Sequence, residues 1–171
     1  MPGRALRRIA RERGLALDLV EKDYLIGWML FCISKTSLAK SLAFKGGTAL
    51  SKVYFPSGWR MSEDLDFTLL GKEDTSDVAA KLFEEIPRIG EKWVPEAALR
   101  FRDRPHSNPD YVQARLQYTG PVSPNNVKMD ITVEKYVGVT RTVEVPRPYE
   151  DWPRFKVTVY SLETILAEKM R

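Results

Sequence analysis

Residues 127–134 read VKMDITVE, an unbroken alternation of apolar and polar side chains. A two-residue period is that of a β-strand. It puts Val127, Met129, Ile131 and Val133 on one face and Lys128, Asp130, Thr132 and Glu134 on the other. The chain therefore builds a sheet with one buried and one polar face. Residues 64–70, DLDFTLL, repeat the pattern: Asp64 and Asp66 share one side, Leu65, Phe67 and Leu69 the other.

The remaining elements follow from periodicity and punctuation. Residues 4–13 read as a short helix stopped by Gly14. Residues 17–34 read as a second, with Val20, Tyr24, Trp28 and Phe31 at three- or four-residue steps. Residues 42–44 (LAF) are a short strand ending at Gly46-Gly47, and residues 48–54 a helix entered from that turn. Asp74 to Asp77 cap a helix expected to break near Pro87. Strands are expected at 97–103, 110–118, 127–135 and 155–160. Ser161 then caps a last helix, with Leu162, Ile165, Leu166 and Met170 along one side. Helices followed by a mixed run of strands and helices give an α+β class, with an antiparallel or mixed β-sheet flanked by helices.

At 171 residues and 43% hydrophobic, the chain is long enough for a single domain with a sizeable core. Its longest apolar stretch, YLIGWMLFCI, is shorter than a membrane span, and the basic N-terminus lacks the apolar segment of a secretory signal. The single cysteine, Cys32, rules out an internal disulfide and a cysteine-based zinc site, and a cytoplasmic location is the default. A net charge of +4, with arginines clustered at residues 4–13 and 100–104, suits an anionic partner such as RNA or a nucleotide, though an ordinary solvated basic face gives the same count.

The chemistry concentrates in residues 44–67, FKGGTALSKVYFPSGWRMSEDLDF. Two carboxylates about 7 Å apart on one strand face repel unless a cation lies between them, and a hard divalent ion such as Mg2+ takes such oxygen ligands. Alone, the pair also reads as a solvated acidic edge. Gly46 and Gly47 let backbone approach a ligand, and Thr48 adds a hydroxyl at a helix start suited to phosphate. Alone, this is a capped turn, and it is neither the P-loop nor the dinucleotide pattern. If the strand of Asp130 lies beside that of Asp64 and Asp66, three carboxylates converge with Lys128 close by, a set able to hold metal for phosphoryl transfer. His106 reads as a loop residue. Trp28, Trp59, Trp93 and Trp152 read as packing residues, with base stacking by Trp59 the lesser alternative.

Four segments, FKGGTALSKVY, RMSEDLDFTL, VKMDITVEKY and SLETILAEKMR, follow the order seen in the AbiEii/AbiGii nucleotidyltransferase toxins, and the lead-in VEKDYLIGWML resembles an early helix of that family. The resemblance covers residues 8–171. It implies a DNA polymerase β-like nucleotidyltransferase fold with N-terminal helices: a lead-in at 1–40, a catalytic sheet region at 41–160 and the start of a helical region at 161–171. It implies that Gly47 and Thr48, with Gly46 shaping the turn, form the glycine-and-hydroxyl motif. Asp64, Asp66 and Asp130 become the catalytic, metal-binding carboxylates for Mg2+ or Mn2+. Arg60, Ser62, Lys128 and Lys169 join the nucleotide site, Lys128 as a weaker candidate together with Lys52. The family's further R-D-x-x-D motif does not occur, and the last helix stops in mid-pattern at Arg171, so the expectation is a chain truncated at its C-terminus.

The function so implied is metal-dependent transfer of NMP from an NTP to an acceptor, such as the 3′ end of tRNA. The setting would be the toxin of a toxin–antitoxin or abortive-infection phage-defence system, restrained by a cognate antitoxin. Two other readings use the same residues: a metal-dependent phosphodiesterase or nuclease, and a catalytically inactive remnant acting as a binding module.

Overall fold

The alternating segments pair much as their patterns demand. The structure, a computed structural model, describes residues 3–56, 61 and 63–170. Strands β1 (Leu42–Lys45), β2 (Asp64–Leu69), β3 (Arg100–Phe101), β4 (His106–Asn108), β5 (Tyr111–Thr119), β6 (Pro124–Val133), β7 (Thr140–Glu144) and β8 (Lys156–Tyr160) form one sheet. Its order is β3-β5-β6-β2-β1-β8-β7, with β4 on the flank of β5. The β2–β6 and β1–β8 pairs are parallel and the others antiparallel, so the sheet is mixed. The α+β class expected from the sequence is the one found.

One sheet face is the core. Leu65 and Phe67 of β2, Val127, Met129 and Ile131 of β6, Val112, Ala114 and Leu116 of β5 and Phe44 of β1 are all buried there. They face α2 (Leu17–Ser34) and α4 (Thr75–Trp93), with α1 (Gly3–Arg13) packed on α2 through Leu6 and Ala10. Helix α2 is buried almost continuously from Val20 to Ile33, the signature of a helix enclosed on all sides. The expected helix over 17–34 is thus the central one. Its Glu21 is buried too and accepts the Val122 amide at 2.8 Å, tying α2 to the β5–β6 hairpin. Burial pushes the Glu21 carboxyl above the usual range, against the pull of that backbone bond.

Helix α4 departs from expectation. Asp74 caps it, accepting the Ser76 amide at 2.8 Å, but the helix runs through Pro87 to Trp93. Proline removes one main-chain bond there. The stripe Val78, Ala79, Leu82, Ile86 and Gly90 stays buried across the lesion, and that packing outweighs the local cost. The strand expected over 97–103 shrinks to Arg100–Phe101, because a 3₁₀ turn at Pro95–Ala97 precedes it and Ala98 adopts a left-handed φ of 44°. Strands β4 and β7 are additions. Both lie at sheet edges and carry little apolar alternation, so His106 sits in an exposed edge strand rather than a loop.

Helix α5 (Leu162–Lys169) starts at Ser161 as expected, the hydroxyl accepting the Thr164 amide at 3.2 Å. Of its apolar side only Ile165 is buried; Leu166 and Met170 face outward. Trp28 and Trp152 are core residues. Trp93 is half exposed although its ring meets Phe31 edge-on at 5.1 Å, and Trp59 lies outside the described residues.

Candidate active site

The parallel pairing of β2 with β6 brings the predicted carboxylates together. Asp66 is registered against Asp130 and Asp64 against Lys128. On the other side of β2, Lys45 stands opposite Asp66. The polar sheet face thus carries the row Lys45, Asp66, Asp130, Gln113, with Asp64 and Lys128 in the row beside it.

Gly46 and Gly47 do different work. Gly46 has φ +76°, the left-handed region, and a Cβ there would lie 2.5 Å from Asp66 Oδ2. Glycine is required both by the backbone and by the closeness of the carboxylate. Gly47 is exposed, with nothing near its missing side chain, and leaves the cleft floor open. The helix expected over 48–54 begins earlier and is α-helical only over α3 (Gly46–Ala49), before its turns widen to the π type at Leu50–Tyr54. A macrodipole from so short a run is small.

Thr48 is nearly fully buried, and its hydroxyl donates to the Asp64 carbonyl at 2.5 Å. It therefore straps the glycine turn to the first residue of β2. Thr48→Val, which keeps the shape and removes the bond, is expected to weaken metal-dependent nucleotide binding roughly tenfold, the equivalent of a hydrogen bond's ~1 kcal/mol or slightly more. A titration showing unchanged affinity would assign the strap no role.

Gly47, Thr48, Met61, Glu63, Asp64, Asp66 and Lys169 line an open cleft of about 480 Å3. Lys169 reaches it from the end of α5, more than a hundred residues along the chain. Lys128 and Asp130 flank it on the next strand and are paired, Nζ to Oδ2 at 2.5 Å. Gln113 Nε2 donates to the other Asp130 oxygen at 3.0 Å. Arg60 and Ser62 lie outside the described residues. Lys52 does not line the cleft: it is buried, 2.5 Å from Asp23.

Reasoning from sequence missed Lys45 and Glu134. Their side chains form an ion pair beside Asp66, and Glu168 of α5 lies 3.8 Å from Lys45. Alternation along LAFK, with Leu42 and Phe44 inward, was the available signal. Glu134 is pushed up by burial, but Lys45, Thr68 and Thr132 outweigh that and hold it below the usual range. Glu63, at the cleft lip, is tied to Lys22 of α2 at 3.2 Å.

The electrostatics favour a bound cation. Asp66 is raised above the ordinary carboxylate value, first by burial, then by Asp130 and Asp64, with Lys45 and Lys128 opposing. Three like charges crowd one face, and a divalent ion between them relieves both repulsion and desolvation. Asp64 and Asp66 are oxygen donors of the right hardness and open to the cleft. Asp130 is engaged by Lys128, which it holds above the ordinary ammonium value. Among the described residues no group of three or more His, Cys, Asp or Glu side chains is placed to hold a metal ion. The residues fit a cation held by the Asp64–Asp66 pair, with Asp130 available if Lys128 turns to another anion.

A family model described as nucleotidyl transferase AbiEii toxin, type IV TA system, matches residues 28–171. Among solved structures, MenT4, a nucleotidyltransferase toxin from Mycobacterium tuberculosis H37Rv, is 20% identical with a TM-score of 0.74, over 99% of this chain and 58% of that one. JHP933 from Helicobacter pylori is 17% identical with a TM-score of 0.60, over 91% of this chain and 57% of that one. At these identities the likeness carries the fold, and the chain spans under three fifths of the length of either relative. No curated protein matches the sequence at a significant level. Among the described residues no helix is long and apolar enough to cross a membrane.

Proposed function

The chain belongs to the AbiEii nucleotidyltransferase toxin family, and from that premise we propose that residues 1–171 form one catalytic domain that transfers NMP from an NTP to the 3′ end of an RNA such as tRNA. The observation that carries the reading is the register of Asp66 against Asp130 beside the Gly46–Thr48 turn. This is two-stranded support for carboxylates at the mouth of a phosphate-sized cleft. In the reaction the acceptor 3′ oxygen bonds to the α-phosphorus, the bond to the β-phosphate oxygen breaks, pyrophosphate leaves, and the acceptor proton passes to a carboxylate, for which Asp130 is the candidate.

Mg2+ or Mn2+ on Asp64 and Asp66, with Asp130 as the third carboxylate, would neutralise the triphosphate and the departing pyrophosphate. The protein's own residues position and shield. Gly47 admits phosphate oxygens to the backbone, Thr48 fixes the Asp64 end of β2, and Lys169 and Lys128 offer positive charge to the triphosphate. By the same resemblance, Arg60 and Ser62 join the nucleotide site. Lys128 leaving Asp130 for a phosphate would free the third carboxylate as substrate arrives. Catalysis of this kind is mainly orientation and charge neutralisation. The setting we infer is a cytoplasmic toxin held in check by a cognate antitoxin, in phage defence by abortive infection.

Incubating the chain with 5′-labelled RNA bearing a free 3′ hydroxyl, each NTP in turn and Mg2+ tests the reading. RNA lengthened by nucleotide addition, with pyrophosphate released, is the expected product. RNA shortened would assign a phosphodiesterase or nuclease instead, and unchanged RNA together with no nucleotide binding would assign a binding module.

A further inference from the structure

The polar sheet face does not end at the acids. Across β6, β5 and β3 it continues as Lys128 opposite Arg115, then Asn126 opposite Gln117, with Gln117 in turn opposite Arg100. The partner residues on these strands, Val127, Leu116 and Phe101, point the other way into the core. Arg100, Gln113 and Arg115 are exposed, and α2 and α4 lie on the opposite side of the sheet.

The arginines on this wing are held but not neutralised. Arg100 Nε donates to Gln117 Oε1 at 3.2 Å, and Arg115 Nη1 donates to Asn126 Oδ1 at 3.3 Å. Neither forms an ion pair among the described residues. Some other surface cations are met by carboxylates, as Lys81 is by Glu73 and Arg154 by Glu144. Neutral amide partners orient a guanidinium while leaving its charge for an external anion. Gln113 and Asp130 extend the same ladder, and Asp130 is already balanced by Lys128.

The spacing suits a polymer of phosphates. With strands about 4.8 Å apart, Arg115 lies about 10 Å from the Asp64 strand, and the row of Arg100 lies about 7 Å further along the strands. Successive phosphates of an extended strand are separated by similar steps. At the far end an open recess of about 160 Å3 is bordered by Arg100, Gln117, Thr119 and Asn126 and, on the core-facing side, by Tyr118 and Asn125. Its amide donors and acceptors match the edge of an unpaired base rather than an apolar ligand.

We propose that the open face of β3, β5 and β6 is the track on which a single-stranded RNA acceptor lies, its phosphates on Arg115 and Arg100 and its 3′ end directed to the Asp64–Asp66 cleft. This rests on the transferase reading given above and adds where the acceptor runs and what holds it. The arginines of α1 are the rival RNA surface, and they lie on the helical side of the sheet.

Fluorescence anisotropy with a 5′-labelled single-stranded RNA of about twelve nucleotides, across a salt series, tests the track in the full chain. Arg100→Glu/Arg115→Glu is expected to weaken binding at least ~30-fold and to lower the log–log salt slope by about 1.4, the share of two phosphate contacts on a single strand. The milder Arg100→Gln/Arg115→Gln pair is expected to fall between this and wild type, and Arg7→Glu/Arg11→Glu on α1 is expected to change binding less than threefold. Wild-type binding retained by both wing variants, loss concentrated in the α1 variant, or no RNA binding by wild type overturns the proposal.

Titration of the wing variants with NTP and Mg2+ separates this from the site reading. Nucleotide binding unchanged there but lost in Asp64→Asn/Asp66→Asn supports both. RNA binding that needs the two arginines, beside nucleotide binding indifferent to the two aspartates, keeps the track and removes the metal site.

Discussion

Asp64→Asn/Asp66→Asn is expected to abolish Mg2+-dependent nucleotide transfer, with a fall on the order of a thousand-fold or more, while the chain remains folded. The two effects have one cause. Asp66 sits half-buried, registered against Asp130 and two residues from Asp64 on the same face, and its proton is held more tightly in the folded chain than in the unfolded one. A carboxyl raised in this way makes the ionised folded state less stable, so stability is regained as pH falls through the raised folded value toward 3.8. Asparagine removes that cost. In metal-free buffer at neutral pH the variant is therefore expected to melt at or above the wild-type temperature, and the difference should narrow as pH drops through that window. Transfer within tenfold of wild type in a folded variant would sink the site assignment. A lower melting temperature would show that the acids stabilise the fold and would remove the electrostatic part of the argument.

The second large effect lies at the buried Lys52–Asp23 pair. Lys52, 4% exposed, is 2.5 Å from Asp23 Oδ1 and donates to the Asp23 carbonyl at 2.8 Å. Tyr149 donates to the other Asp23 oxygen at 2.9 Å, and the Lys52 ammonium lies 5.2 Å from the Trp152 ring centroid. The network joins α2 to the segment that starts with the glycine turn. Burial pushes the Lys52 ammonium below its ordinary range, and Asp23 is the main group opposing that. Asp23→Ala leaves the cation buried without its carboxylate and is expected to cost about 3–5 kcal/mol. At about 2–4 °C per kcal/mol for a chain of this size, the melting temperature should drop by roughly 10 °C. The apolar double replacement Asp23→Leu/Lys52→Met should recover much of that loss, because the cost comes from stranding a charge rather than from losing a contact. A single Asp23→Ala variant melting within 2 °C of wild type would show that water reaches Lys52 and that the network is not an anchor.

These two cases mark what could be read without coordinates. The D-x-D pair, the GGT turn and the alternation around Asp130 were legible because strand periodicity fixes which side chains share a face. Lys52 was not: it reads as a weaker nucleotide-site candidate, and its burial depends on Asp23, Tyr149 and Trp152 arriving from distant parts of the chain. Pro87 was misread for a related reason. Its local penalty is real, but the buried stripe on either side of it belongs to packing that local sequence does not report.

The sequence by itself determined the class of the fold, the identity of the buried strand faces and the residue types of the candidate site, because period, turn chemistry and charge are local properties. Tertiary structure alone decided that β2 runs parallel to β6 in the register placing Asp66 beside Asp130, that Lys128 is paired with that third carboxylate, and that Lys45 and Glu134 pair beside Asp66. Register and parallel pairing are set by how apolar faces from distant segments close over a shared core, and no window of the chain contains both partners.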